Sequence, residues 1–196
     1  IRSLDRWAIA GALTQRCALL ERGWQGWVAV NLSPSSVSDP GLPAYVQQVL
    51  AESDAEPGSL VLELPEAAVL RDAPAAADFM WELKNAGAAI AIDDFSGTSF
   101  RHLQRLPVDV LKLDARFTDG IGAEDGGNGQ EGLVEGAIAI ARGIRARVLA
   151  KGVERESQLR WLSDAGCDYL QGYLTGEPVP ADDLRTDPDP RAIHGD

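Results

Sequence analysis

Six short apolar runs recur along the chain, and helical patterns lie between them. The runs are rich in β-branched residues and predict strands at 27–32, 60–64, 89–93, 110–114, 147–151 and 169–173. Apolar residues at three- and four-residue spacing predict helices at 1–20, 42–52, 75–87, 99–106, 133–144 and 157–166. Nearly continuous apolar strands that alternate with helices indicate an α/β fold in which helices cover a parallel sheet.

Two architectures have this order of elements: an open doubly wound sheet and a (β/α)8 barrel. A doubly wound nucleotide-binding sheet usually carries a glycine-rich phosphate loop after its first strand, and no such loop follows residues 27–32. The carboxyl ends of barrel strands meet at one face, where active sites are built. Charged or amide side chains close nearly every predicted strand, which favours the barrel. They are Asn31, Glu63, Glu66, Asp93, Asp94, Lys112, Asp114, Lys151, Glu154 and Gln171.

The predicted barrel is incomplete at its N-terminus. A complete barrel has eight strands and typically about 250 residues, whereas this chain has 196 residues and begins with a predicted helix. We therefore expect two N-terminal strands to lie outside this sequence. Residues 1–184 are assigned to the barrel domain, and the polar, proline-containing segment 185–196 to a flexible C-terminal tail.

Composition excludes several classes of function. A formal net charge of −12 argues against general binding to nucleic acid or to anionic membranes, which depends on basic surface. No apolar run reaches the roughly 18–20 residues of a membrane span, and the N-terminus has no signal-peptide layout. We therefore expect a soluble, cytoplasmic protein. Cys17 and Cys167 lie far apart and form no C-x-x-C motif, which argues against a zinc site.

The polar strand ends themselves predict a kind of chemistry. Oxygen ligands on successive strands suit Mg²⁺, Mn²⁺ or Ca²⁺ rather than zinc. Metals held by carboxylates are the usual means of hydrolysing phosphodiesters, because they activate a water and bind the phosphate oxygens. Lys112 would then neutralise charge on the phosphate, while Glu154 and Gln171 would orient water or ligand. The residues alone predict a metal-dependent phosphodiesterase site, or the remains of one.

Six blocks of the sequence resemble, in order and spacing, those of the EAL-domain family. The blocks are VAVNLSPSSV, LVLELPEAAVL, AIAIDDF, RLPVDVLKLDARF, AKGVERESQL and GCDYLQGYLTGEPVP, and the resemblance runs from about Leu4 to Val179. Members of this family are cyclic di-GMP phosphodiesterases with a (β/α)8 barrel fold. The resemblance implies Mg²⁺ or Mn²⁺ as cofactor, cyclic di-GMP as ligand, other signalling domains or proteins as partners, and a possible homodimer.

The resemblance also implies a role for each polar strand end. The metal ligands would be Asn31, Glu63, Asp93 and Asp94. Glu66 would steady the loop after the next strand, and Lys112 and Asp114 would lie beside the catalytic water. Glu154 and Gln171 match further site positions.

Several positions depart from the family pattern. The family's Glu-Ala-Leu signature belongs to an N-terminal strand outside this sequence. One metal-ligand Glu of the family belongs to the same signature. The family's DDFGTGYSSL loop reads DDFSGTSF, two residues shorter before Phe100. Pro65 replaces a Thr and removes a backbone N–H beside two needed carboxylates. Glu177 stands where a basic residue is common, which disfavours an anionic ligand nearby.

The departure with the clearest chemical consequence is Lys151. The family's AEGVE reads AKGVE here, and the replaced Glu is the general base for the attacking water. Lysine has an ordinary pKa of about 10.4 and is protonated at neutral pH. Its ammonium group would also repel a divalent cation by roughly 7 kcal/mol at about 5 Å and an effective dielectric constant of about 20. Our hypothesis is that Lys151 is an internal counter-ion, salt-bridged to one or more of the site carboxylates.

These departures favour a degenerate EAL domain without hydrolytic activity, which acts as a regulatory or protein-interaction module. Two alternatives stay open from the sequence. One is an active metal-dependent phosphodiesterase that converts cyclic di-GMP to pGpG. The other is a cyclic di-GMP receptor that binds the dinucleotide without hydrolysing it, since binding needs fewer groups than catalysis.

Overall fold

Six parallel strands form a single sheet in the order in which they occur along the chain. The computed structural model of the protein describes residues 2–122 and 129–184. The strands are β1 Val28–Asn31, β2 Leu60–Pro65, β3 Ala89–Phe95, β4 Val110–Leu113, β5 Arg147–Lys151 and β6 Tyr169–Gln171. Each strand pairs with the next one in sequence. A doubly wound sheet would reverse its strand order partway, so the order excludes that architecture.

Helices connect the strands and cover one face of the sheet. They are α1 Arg2–Glu21, α2 Leu42–Glu52, α3 Glu66–Arg71, α4 Ala73–Asn85, α5 Phe100–Leu103, α6 Gln130–Gly143 and α7 Glu156–Ala165, with short 3-10 turns at Ser36–Ser38, Ala115–Phe117 and Ala181–Asp183. Of the described helices, none is both long and apolar enough to span a membrane.

All six predicted strands and all six predicted helices are found in the predicted order, with differences at their ends, and the structure has one further helix. The helix predicted at 75–87 begins earlier, because the Asp72 side chain accepts a hydrogen bond from Ala75 N and caps it. Helix α3 was not predicted, and the predicted helix at 99–106 is a single turn. Strand β6 is shorter than predicted because the chain turns at Gly172, where a Cβ atom would collide with the backbone of Val153.

Successive side chains along each strand point to opposite faces of the sheet, and the two faces contribute to different apolar clusters. Outward side chains such as Leu62, Ile90 and Leu111 pack beneath the helices in one large core. A second, smaller cluster lies on the inner face and is lined by Val61, Ala91, Val110 and Leu149, with Trp27 and Tyr169 packed against it.

The two ends of the sheet approach one another through that inner cluster. Trp27 immediately precedes β1 and Tyr169 begins β6, yet their ring centroids lie 5.7 Å apart in an edge-to-face arrangement. Arg147 adds its guanidinium group, 5.7 Å from the Tyr169 ring centroid. Edge strands of a flat sheet could not make this contact, so the sheet is strongly curled. The predicted incomplete (β/α)8-type barrel is confirmed, whereas the tail predicted at 185–196 lies outside the described residues.

Candidate functional site

A polar layer follows the inner apolar cluster toward the carboxyl ends of the strands. Because side chains alternate along a strand, residues two positions after the inner apolar ones point to the same interior. Register places Asn31 opposite Glu63 on β1 and β2, and Lys151 opposite Gln171 on β5 and β6. The polar layer comprises Asn31, Glu63, Asp93, Lys112, Lys151 and Gln171.

Lys112 and Glu63 form a buried ion pair inside this layer. Lys112 Nζ donates to Glu63 Oε2 at 2.5 Å and lies 3.7 Å from Asp93 Oδ1. Less than a tenth of either the Lys112 or the Glu63 side chain is exposed. The sequence suggested a phosphate as the partner of Lys112, but its partners in the structure are these two carboxylates.

Lys151 forms the salt bridges that the sequence predicted. Its Nζ donates to Asp93 Oδ1 at 2.8 Å and also donates to Asp94 Oδ1. Burial raises the pKa of Asp93, but the hydrogen bond from Lys151 and the charge of Lys112 outweigh it, so this pKa lies below its ordinary value. Burial lowers the pKa of Lys151, yet its two carboxylate partners raise that pKa above its ordinary value.

An irregularity in β3 allows two consecutive aspartates to contact one ammonium group. The pairing of β3 with β4 shifts register between Ile92 and Phe95. Within this bulge Asp94 has a φ of 51°, in the left-handed region that Asp and Asn tolerate better than most residues. The Asp94 side chain is 62% exposed and the Asp93 side chain 15%. Asp93 therefore belongs to the interior of the site, and Asp94 to its mouth.

Glu66 holds the loop that follows β3. Its Oε2 accepts hydrogen bonds from the N–H and hydroxyl of Ser96, and its Oε1 from the N–H and hydroxyl of Ser99, at 2.6–2.9 Å. Burial raises the pKa of Glu66, but these hydrogen bonds outweigh it and leave the pKa below its ordinary value. These contacts match the loop-supporting role that the family resemblance implies.

Asp114 bonds to Arg116 and not to Lys112 or Lys151. It accepts hydrogen bonds from Arg116 N, Nε and Nη2 at 2.8–3.1 Å and caps the 3-10 turn that follows β4. The hydrogen bond from Arg116 holds the pKa of Asp114 below its ordinary value. Arg116 is 78% exposed, so this pair lies at the rim of the site.

Three of the predicted site residues keep their side chains unpaired. Asn31, Glu154 and Gln171 are exposed, and their side chains make no hydrogen bond or ion pair with the described part of the chain. The Glu154 backbone N–H, in contrast, donates to Gln158 Oε1 at 2.9 Å. The structure therefore places these three side chains at the same end of the barrel without joining them to the charged cluster.

Sequence reasoning missed two residues that position Lys151 and Glu154. Buried Gln158 accepts from Glu154 N and Arg155 N and donates to Thr118 O, which fixes the loop between β5 and α7. The Thr118 hydroxyl lies 2.6 Å from Lys151 O. The signal for Gln158 was its spacing, since Gln or Glu three residues after a helix N-cap completes a capping box. Nothing in the sequence pointed to Thr118.

The predicted metal ligands do not fit a divalent cation in this arrangement. Glu63, Asp93 and Asp94 are each hydrogen-bonded to an ammonium group. A divalent ion binds carboxylate oxygen at about 2.0–2.6 Å and would compete for the same lone pairs. Among residues 2–122 and 129–184, no group of three or more His, Cys, Asp or Glu side chains is arranged to hold a metal ion.

A curled sheet of sequential parallel strands, with charged groups at their carboxyl ends, defines the class of (β/α)8-type barrels. A family model described as "EAL domain" matches residues 1–178. The chain therefore belongs to the EAL domain family.

Individual relatives agree with this assignment. The chain is 35% identical over 187 residues to the bifunctional diguanylate cyclase/cyclic di-GMP phosphodiesterase MucR of Pseudomonas aeruginosa, covering 94% of this chain and 27% of MucR. It is 32% identical over 157 residues to the probable cyclic di-GMP phosphodiesterase PdeN of Escherichia coli, covering 79% of this chain and 30% of PdeN. The chain thus spans under a third of these relatives.

Solved structures show the same fold. The MucR phosphodiesterase in complex with cyclic di-GMP superposes with a TM-score of 0.83 at 33% identity, covering 93% of this chain and 74% of that one. The FimX EAL domain from Pseudomonas aeruginosa bound to cyclic di-GMP gives 0.76 at 28% identity, covering 88% of this chain and 68% of that one.

Proposed function

We propose that this chain is a degenerate EAL domain of cyclic di-GMP signalling that does not hydrolyse the dinucleotide and acts as a regulatory or protein-interaction module. The observation that carries the proposal is the position of Lys151, whose ammonium group is bonded to Asp93 and Asp94. In the family pattern that position belongs to the glutamate that deprotonates the attacking water.

Lys151 is unsuited to that task for two reasons. A general base must accept a proton in the transition state, and the carboxylate partners of Lys151 raise its pKa, which keeps the group protonated. The two aspartates are also engaged with Lys151. The retained carboxylates therefore stabilise the barrel interior instead of activating a water.

A second candidate is a receptor that binds cyclic di-GMP without cleaving it. The related EAL domains of MucR and FimX were solved with cyclic di-GMP bound. In this chain the side chains of Asn31, Glu154 and Gln171 lie exposed at the carboxyl ends of the strands, and each offers hydrogen-bonding groups to a ligand. Receptor function needs no general base, so Lys151 is compatible with it.

One titration separates these functions. Cyclic di-GMP is added to the full-length protein with Mg²⁺ or Mn²⁺, binding is followed by calorimetry, and pGpG is measured by chromatography. The regulatory-module proposal expects neither binding nor pGpG, and binding without pGpG would select the receptor. Production of pGpG that disappears in Asp93→Ala would show an active phosphodiesterase and overturn both.

A further inference from the structure

Five charged groups at the carboxyl ends of the strands alternate in sign, from the interior of the site to its mouth. The order is Glu63, Lys112, Asp93, Lys151 and Asp94, and each group contacts the next. We call these five residues the charge ladder. They come from β2, β4, β3 and β5, so the ladder crosses strands that do not all pair with one another.

Charge in the ladder nearly balances without any bound ion. Three carboxylates and two ammonium groups leave one net negative charge. With Glu at position 151, as in the family pattern, the same cluster would carry three net negative charges. The carboxylates of such a cluster would repel one another more strongly, and a bound cation would relieve that repulsion.

The ammonium group of Lys151 also donates to Asp93 Oδ1, the carboxylate oxygen that lies within 4 Å of both lysines. Asp93 Oδ1 is 2.8 Å from Lys151 Nζ and 3.7 Å from Lys112 Nζ, in the interior of the site. A divalent ion bonding to this oxygen would have to displace Lys151 and then remain close to two positive charges.

The backbone holds Lys151 where this contact forms. Lys151 is the last residue of β5 and pairs with Gln171 of β6. The Thr118 hydroxyl lies 2.6 Å from Lys151 O, and the following Gly152 has a φ of 73°. These restraints fix the start of the lysine side chain, which is 20% exposed.

We propose that the ammonium group of Lys151 is the resident cation of this site and takes up the carboxylate lone pairs through which the site would otherwise bind a divalent metal. This inference rests on the proposed function, because it concerns the site taken to be without hydrolytic activity. It adds that the site keeps its arrangement without a divalent cation, so chelators leave the domain unchanged.

Manganese binding to the full-length protein tests the inference directly. Free Mn²⁺ is measured by electron paramagnetic resonance for the wild type, Lys151→Glu and Lys151→Met. Lys151→Glu is expected to bind Mn²⁺ at least about 100-fold more tightly than the wild type, because the change alters the site by two charges and adds a ligand. Lys151→Met removes one charge without adding a ligand, and we expect a smaller gain in affinity.

The matched control is Lys84→Glu. Lys84 pairs with Asp109 at 2.6 Å and is 29% exposed, so it resembles Lys151 in pairing and burial but lies outside the charge ladder. This variant should leave Mn²⁺ affinity at the wild-type value. Thermal melting of each variant, with and without EDTA or Mn²⁺, serves as a second readout. EDTA should not shift the wild-type melting temperature, and Mn²⁺ should raise that of Lys151→Glu.

The inference is overturned if the wild type binds Mn²⁺ as tightly as Lys151→Glu, or if neither Lys151 variant gains affinity. It is also overturned if EDTA lowers the wild-type melting temperature. These outcomes are separate from the activity assay: tight Mn²⁺ binding by a wild type that makes no pGpG would refute the resident cation and leave the proposed function standing.

Discussion

Lys112 and Glu63 are bonded across the barrel interior although their strands are not neighbours in the sheet. Lys112 lies on β4 and Glu63 on β2, with β3 between them, and the Nζ–Oε2 distance is 2.5 Å. Backbone hydrogen bonds join each strand only to the next. The Lys112–Glu63 pair therefore joins two strands that have β3 between them, and it can form only because the sheet is curled.

Breaking this pair from one side should be costly. Lys112→Met leaves the Glu63 carboxylate buried, with no other described side chain donating a hydrogen bond to it, and we expect a loss of about 3–5 kcal/mol in the free energy of unfolding. Urea denaturation measures this change. The matched variant is Lys112→Met with Glu63→Gln, which removes both charges and should recover part of the loss. Glu63→Gln alone completes the series. If the double variant lost as much stability as Lys112→Met and Glu63→Gln together, the two groups would not interact.

The two aspartates bound to Lys151 should differ in their contribution to stability. Asp93→Asn removes the central carboxylate of the charge ladder, whose side chain is largely buried, and should lower the free energy of unfolding by about 2–3 kcal/mol. Asp94→Asn changes a mostly exposed carboxylate, and the loss should stay below about 1 kcal/mol. Both variants are measured in the same denaturant series. Equal losses would contradict the assignment of Asp93 to the interior and Asp94 to the mouth.

The fold could be predicted from the sequence more completely than the site. Apolar runs predicted the positions of the six strands along the chain, because a strand that is buried on both faces needs continuous apolar residues. Helix α3 was missed because its six residues follow a strand directly and show less than two turns of periodicity.

Within the site, a salt bridge from Lys151 to one or more of the carboxylates was predicted from its charge and from its position in the family pattern, but which carboxylates it contacts was not. The Lys112–Glu63 pair was not predicted, since it depends on the curl of the sheet, and neither was the bulge that turns Asp94 toward Lys151. The contacts that order the loops were not predicted either. Gln158 and Thr118 fix the loop after β5 through backbone groups, which leave little trace in side-chain patterns.

Stability should fall in acid through Glu66. Its pKa lies below the ordinary value of 4.5 in the folded protein. Stability from a depressed carboxyl pKa is fully present above the ordinary value and is lost as the pH falls through the folded value. We therefore expect the free energy of unfolding to decrease below about pH 4.5. Glu66→Gln should be less stable at neutral pH, because one oxygen can no longer accept, and should lose less on acidification.

Urea denaturation at neutral and acid pH measures this difference. Asp5→Asn is the comparison variant, because Asp5 is a buried carboxyl group that bonds to Ser33 and Ser36 after β1 and makes no hydrogen bond to the loop after β3. Burial raises its pKa, but hydrogen bonds from Ser36 and Ser33 outweigh this and lower it. Each variant should remove only its own part of the acid sensitivity. If Glu66→Gln and the wild type lost stability in parallel between neutral pH and pH 3, the linkage to Glu66 would be wrong.

Gln158 should control the order of the loop that carries Glu154. Gln158→Ala removes the acceptor of the Glu154 and Arg155 N–H groups and the donor to Thr118 O, and we expect a loss of about 1–3 kcal/mol in the free energy of unfolding. Amide hydrogen exchange should accelerate at residues 153–156 and remain unchanged in β2. Gln158→Glu keeps both accepted hydrogen bonds and loses only the donated one, so its loop amides should stay more protected than those of Gln158→Ala. Equal exchange in the two variants would mean that packing of the side chain, and not its hydrogen bonds to the backbone, orders this loop.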